Sequence, residues 1–182
     1  MPIFDTNPPV RPINFQKAIV FIDGTNLFHR LEGEKLNLTT SLNTILTNFT
    51  QNRQIIRMYL YTIQEQLEKA SKFHGDHITK DIRVVYGEGI KTKDGNTKEK
   101  GVDALLVGDL IYHAAMKNYD YALLVSTDTD FVQPLRRVED FGCRTGVLGI
   151  CCDLPERLRN GCDQPETLSK ERILQQNWAK SR

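Results

Sequence analysis

Leu123-Leu124-Val125-Ser126-Thr127-Asp128-Thr129-Asp130-Phe131 joins an apolar run to two carboxylates set two residues apart. A strand covered by helices on both faces reads as a continuous apolar run. Asp128 and Asp130 therefore fall where such a strand ends and a helix begins. The same pattern occurs upstream, where Ala18-Ile19-Val20-Phe21-Ile22 runs into Asp23-Gly24-Thr25-Asn26. Two buried strands that each finish in aspartate predict one shared acidic pocket. In open α/β sheets, ligands bind outside the carboxyl ends of the strands, and hard carboxylate oxygens there suit divalent cations.

Strands are predicted over Lys17–Ile22, Gln54–Ile63, Asp81–Tyr86, Tyr121–Ser126 and Thr145–Ile150. Helix-compatible stretches fall on Leu38–Phe49, Gln64–His77, Val102–Lys117, Asp130–Phe141, Leu154–Asn160 and Leu168–Trp178. Asp94-Gly95 is a turn signal that closes a short hairpin within Lys91–Lys100. Strands alternating with helices imply right-handed βαβ units, hence an α/β protein with a parallel sheet between two helical layers. The expected organisation is an extended proline-bearing arm over 1–16, one α/β domain over 17–168, and a C-terminal helix or tail over 169–182. That tail, with Ile173, Leu174 and Trp178, either docks on the core or pairs two chains as a homodimer.

The chain has 182 residues, 40% hydrophobic and 26% charged, the composition of a globular domain. No stretch approaches the roughly 20 apolar residues of a membrane helix, so no membrane partner is expected. The first 15 residues lack the apolar centre of a secretory signal, which makes the cytoplasm the expected location. A net charge of +1 gives no global field to attract a polyanion. Segregation is more informative: Lys91, Lys93, Lys98 and Lys100 crowd one segment while aspartates sit at strand ends. A basic rim beside an acidic pocket suits a phosphate-bearing substrate, although charge patterning reads equally as a solvated loop. Cys143, Cys151, Cys152 and Cys162 lack paired Cys-x-x-Cys steps and neighbouring histidines, which argues against zinc.

Asp103 opens the Val102–Lys117 helix and can join Asp23 and Asp128 if that helix starts over the same edge. Asp109 lies six residues later, about 120° around the helix, and reaches the pocket only obliquely. Two carboxylates about 4 Å apart repel by about 4 kcal/mol at an effective dielectric near 20. A divalent cation resolves that repulsion, and carboxylate oxygens select Mg²⁺ or Mn²⁺. Each acid also has a local reading: Asp130 as a helix N-cap, Asp103 as a first-turn acid, Asp23 with Gly24 as a turn. Asn26 reads alternatively as a cap. The run Phe21-Ile22-Asp23-Gly24-Thr25 imitates the Asp-x-Asp-Gly-Thr motif of haloacid dehalogenase phosphatases. Phe21 stands at the nucleophile position, so an aspartyl-phosphate route is closed. No P-loop and no dinucleotide fingerprint is present.

Three segments together resemble a known family: Phe21-Ile22-Asp23-Gly24-Thr25-Asn26-Leu27-Phe28, Lys100-Gly101-Val102-Asp103-Ala104-Leu105-Leu106-Val107-Gly108-Asp109, and Val125-Ser126-Thr127-Asp128-Thr129-Asp130-Phe131. They are similar in order and spacing to the motifs of NYN-domain proteins, specifically the LabA-like (DUF88) branch of the PIN-like nuclease superfamily. The resemblance covers Ala18 to about Leu168. It implies a five-stranded, mainly parallel sheet ordered 3-2-1-4-5 in an α/β/α sandwich, and a metal-dependent ribonuclease. It implies Asp23, Asp103, Asp128 and Asp130 as catalytic metal ligands for Mg²⁺ or Mn²⁺, with Asp109 as a further candidate ligand. Asn26, Ser126, Lys91, Lys93, Lys98 and Lys100 are the candidate RNA-binding residues. Single-stranded RNA is the expected substrate. The alternatives are a non-catalytic RNA-binding or regulatory module, and a DNA or flap nuclease on the same site. One stretch departs from the family pattern: Pro165 in Gln164-Pro165-Glu166-Thr167-Leu168 removes a strand donor, so no sixth strand is expected.

Overall fold

In a computed structural model that describes residues 16–92, 95 and 97–181, strands and helices alternate as the apolar runs predict. β1 (Lys17–Asp23) leads into α1 (Gly24–Gly33), β2 (Leu36–Leu38) and α2 (Leu42–Thr47). β3 (Gln54–Thr62), α3 (Gln64–His74) and β4 (Arg83–Tyr86) follow. A hairpin of β5 (Glu88–Lys91) and β6 (Thr97–Lys100) precedes α4 (Val102–Ala115). Then come β7 (Tyr121–Val125), α5 (Val132–Asp140), β8 (Arg144–Ile150), α6 (Glu156–Arg159) and β9 (Gln164–Leu168). The described chain closes with α7 (Lys170–Gln175) and β10 (Ala179–Ser181).

Six strands form one parallel sheet in the order β4-β3-β1-β7-β8-β9. The expected 3-2-1-4-5 order is its first five strands. The sixth, β9, corrects the expectation drawn from Pro165. β9 pairs along one side only, and the Leu168 carbonyl accepts from Cys151 N at 2.9 Å. Backbone groups of a strand alternate in direction, so Pro165, an odd number of residues away, turns its missing N–H to the open edge.

Alternation along β1 divides the core. Ala18, Val20 and Ile22 pack on the face shared with α1, α2 and α7, while Ile19 and Phe21 pack on the face shared with α4 and α5. Both β1 and β7 are buried throughout apart from Lys17, as continuous apolar runs require.

Some expectations shift. α1 occupies residues read from sequence as a turn or cap. Leu38 belongs to β2 and not to a helix, and Leu168 ends β9. The C-terminal segment folds back on its own domain: Ile173 is buried in the core, and β10 pairs antiparallel with β2. The proposed arm lies almost wholly outside the described residues, as do Lys93 and Asp94. The β5–β6 hairpin itself forms as expected, with Ile90 opposite Lys98. Among the described residues, no helix is long and apolar enough to cross a membrane.

Two glycines permit close approaches that position the acidic edge. A Cβ on Gly24 would lie 2.7 Å from the Tyr61 carbonyl, so only glycine lets α1 begin directly against β3. A Cβ on Gly87 would lie 2.4 Å from Val102 Cγ2 and 3.0 Å from the Lys100 carbonyl. Gly87 therefore pins the hairpin against the start of α4. Gly87→Ala should lower stability by about 1–3 kcal/mol through overpacking. Urea unfolding checks this, and an unchanged midpoint would show that the contact is not tight.

Candidate active site

Asp23 is the last residue of β1 and the N-cap of α1. Its Oδ1 accepts from Asn26 N at 3.0 Å, and its Oδ2 accepts from Ser126 Oγ at 2.8 Å. The residue is only 5% exposed. Burial pushes its carboxyl up to about 6; the two hydrogen bonds oppose this, and the charges of Asp103 and Glu99 add to it. The cap belongs to Asp23, which leaves the Asn26 side chain available for other contacts.

β7 delivers the second half of the site, one strand away. Asp128 caps a short 3₁₀ turn, Thr129–Phe131, by accepting from Asp130 N at 2.9 Å. The N-cap is thus Asp128, and Asp130 stands in the first turn. Asp128 N in turn donates to Ser126 Oγ at 3.1 Å. Ser126 is buried and engaged on both sides, so its hydroxyl ties the Asp23 carboxylate to the Asp128 backbone and does not face a substrate. Asp128 and Asp130 are exposed.

Asp103 enters from the first turn of α4. Partial burial raises its carboxyl pKa, and the charges of Asp128 and Asp130 raise it further. Asp23, Asp103, Asp128 and Asp130 thus form one electrostatically coupled set, built from two strand ends and one helix start. Asp109 is not brought to it. Its Oδ2 accepts from Tyr61 Oη at 2.9 Å, and it faces Tyr61 and His113 on the α4 side of the sheet.

The structure adds residues that no strand-end pattern marks. Glu99 of β6 accepts a hydrogen bond from Thr25 Oγ1 and acts electrostatically on Asp23. Alternation in Thr97-Lys98-Glu99-Lys100 was the available signal: it leaves Thr97 and Glu99 half-buried and Lys98 and Lys100 exposed. Arg30, one helical turn after Asn26, donates to Thr127 Oγ1 at 3.3 Å. Asn26 Nδ2 donates to the same oxygen at 3.0 Å. Lys98 lines a cleft of about 770 Å³ that opens beside Thr25 and Glu99, while Lys91 lines a neighbouring groove. Lys100 ends β6 opposite Glu88.

The donor chemistry fits a hard cation, since every group is a carboxylate oxygen and the buried member is driven toward protonation by its surroundings. Among the described residues, no three side chains yet stand close enough to form a ready-made metal site. Coordination would need the exposed Asp103, Asp128 and Asp130 side chains to turn inward toward Asp23.

Comparison with known proteins agrees with this architecture. The family description NYN domain matches residues 17–169. A crystal structure of a protein of unknown function from Vibrio parahaemolyticus superposes with a TM-score of 0.71 at 20% identity, covering 93% of this chain and 99% of that one. At that identity the likeness shows the fold alone. No curated protein matches the chain.

Proposed function

This chain belongs to the NYN domain family, within the PIN-like nuclease superfamily, and on that premise we propose that it is a Mg²⁺- or Mn²⁺-dependent nuclease that hydrolyses single-stranded RNA. The observation that carries the reading is the coupled set of carboxylates at the ends of adjacent β1 and β7. Asp23, Asp103 and Asp128 would hold the metal, with Asp130 supporting metal or water. A bound ion would supply an activated water and neutralise charge on the phosphate. Asn26, Thr127 and Arg30 form a polar ledge at the start of α1, suited to orienting a phosphate. Ser126 fixes Asp23 relative to Asp128. The hairpin lysines would meet the RNA backbone.

Incubating labelled single-stranded RNA with Mn²⁺, with and without chelator, tests this. Wild type should cleave only with metal, and Asp128→Asn should not cleave. Equal cleavage by both proteins would overturn the assignment. Asp109 separates the site from its surroundings: Asp109→Asn should keep metal-dependent cleavage but lose about 1 kcal/mol of stability, because the Tyr61 hydroxyl exchanges a charged acceptor for a neutral one.

A module that binds RNA without cutting it is the alternative outcome of the same assay. RNA binding without metal-dependent cleavage of RNA or DNA would establish it.

A further inference from the structure

The cleft that opens beside Thr25 and Glu99 does not end there. It runs between α3 and the β5–β6 hairpin, and its Ile63, Glu65, Glu68 and Thr97 also line a second groove of about 460 Å³. That second groove adds Tyr86 and Lys91. The two form one channel from the acidic edge to the outermost strand of the sheet, where β4 ends.

The channel carries both signs of charge, but they are not equally available. Glu65 accepts from Thr97 Oγ1, Glu68 accepts from Gln64 Nε2 at 2.9 Å, and Glu99 accepts from Thr25 Oγ1. Lys69 is paired with Glu32 at 3.0 Å. The side chains of Lys72, Lys91 and Lys98 have no hydrogen-bond or ion-pair partner among the described residues. The glutamates keep their charge but are tethered within the protein, whereas these three lysine side chains are free to swing onto a ligand.

Tyr86 stands at the far end, 51% exposed. A lone exposed aromatic is ordinary on a protein surface. This one also borders a third groove shared with Lys72, so it projects between two channels. It is held on a fixed base: β4 pairs Tyr86 with Thr62, and the next residue, Gly87, donates its N–H to the Thr62 carbonyl at 3.0 Å. An exposed ring carried on an anchored strand end, beside unpaired lysines, is an arrangement by which proteins track unpaired nucleotides, stacking bases and matching backbone charge.

We infer that this channel is the track for the single-stranded segment on one side of the scissile phosphate, with Tyr86 stacking a base and Lys72, Lys91 and Lys98 meeting the backbone. The inference rests on the reading of the acidic edge as a nuclease centre. Paired bases cannot present a face to Tyr86, so duplexes should bind more weakly.

The test uses the full-length protein and a fluorescein-labelled 12-nucleotide single-stranded RNA in chelator, so binding is read without cleavage. Tyr86→Ala should weaken binding by roughly 5- to 100-fold, the range for losing one stacked base, and Tyr86→Phe should restore it. The Lys72→Gln/Lys98→Gln double variant should reduce the log–log salt slope by about 1.4, at about 0.7 per phosphate contact. Melting curves confirm that each variant folds. Equal affinity of Tyr86→Ala and wild type, or equal binding of duplex and single strand, would overturn the track. Mn²⁺-dependent cleavage with no Tyr86 effect would remove the track alone. Tyr86-dependent binding without cleavage would keep the track and remove the nuclease reading.

Discussion

Asp23→Asn should reduce Mn²⁺-dependent RNA cleavage by at least about 100-fold, the upper end of what losing a supporting partner of a metal site costs. The same substitution should leave the metal-free melting temperature at pH 8 unchanged or raise it. These opposite effects share one cause. Burial pushes the Asp23 carboxyl from an ordinary 3.8 to about 6. An acid whose pKa is higher folded than unfolded binds its proton more tightly in the fold. Its charge therefore opposes folding, with no penalty below about pH 4 and the full penalty above about pH 6. About two pKa units at 1.36 kcal/mol each amount to about 3 kcal/mol. Asparagine removes the charge yet caps a helix as well as aspartate does, so the bond from Asn26 N is kept. Differential scanning calorimetry in chelator and a cleavage assay in Mn²⁺ read the two effects. A drop of several degrees in the metal-free protein would make Asp23 primarily a structural cap.

Affinity for Mn²⁺ should fall about tenfold between pH 7 and pH 5. Carboxylates bind metal in their ionised form, so metal and proton compete. With a pKa of about 6, Asp23 is mostly ionised at pH 7 and mostly protonated at pH 5. Asp103 is raised in the same direction, by burial and by Asp128 and Asp130, which steepens the dependence. Calorimetric titration of Mn²⁺ across this range measures it, and Asp23→Asn should flatten the curve. A pH-independent affinity in wild type would mean that Asp23 is not a ligand.

Much of the fold was legible because its central strands are buried on both faces. Ala18–Ile22 and Leu123–Val125 could be nothing but interior strands, and each announced the aspartate at its end. Topology also followed, since alternating elements leave few ways to wind a parallel sheet. What escaped depended on pairing over distance. β2 and β10 are three residues each, and neither has a pattern apart from the other. β9 was discounted because a proline is judged by the missing bond, and only the pairing shows which side that bond would face. Within the site, Glu99 acquired its role from Thr25, 74 positions earlier. Asp109 shares a motif with Asp103, but the pitch of α4 carried it to Tyr61.

The bond from Ser126 to Asp23 spans 103 positions and crosses between the two central strands. A chain leaving the ribosome can pair β1 with β3 long before β7 exists, so Asp23 emerges without Ser126, Asp128 or Asp130 beside it. Only when β7 slots in next to β1 do the acids meet. The acidic edge is therefore assembled late, and any activity that depends on it begins only with the completion of the fold.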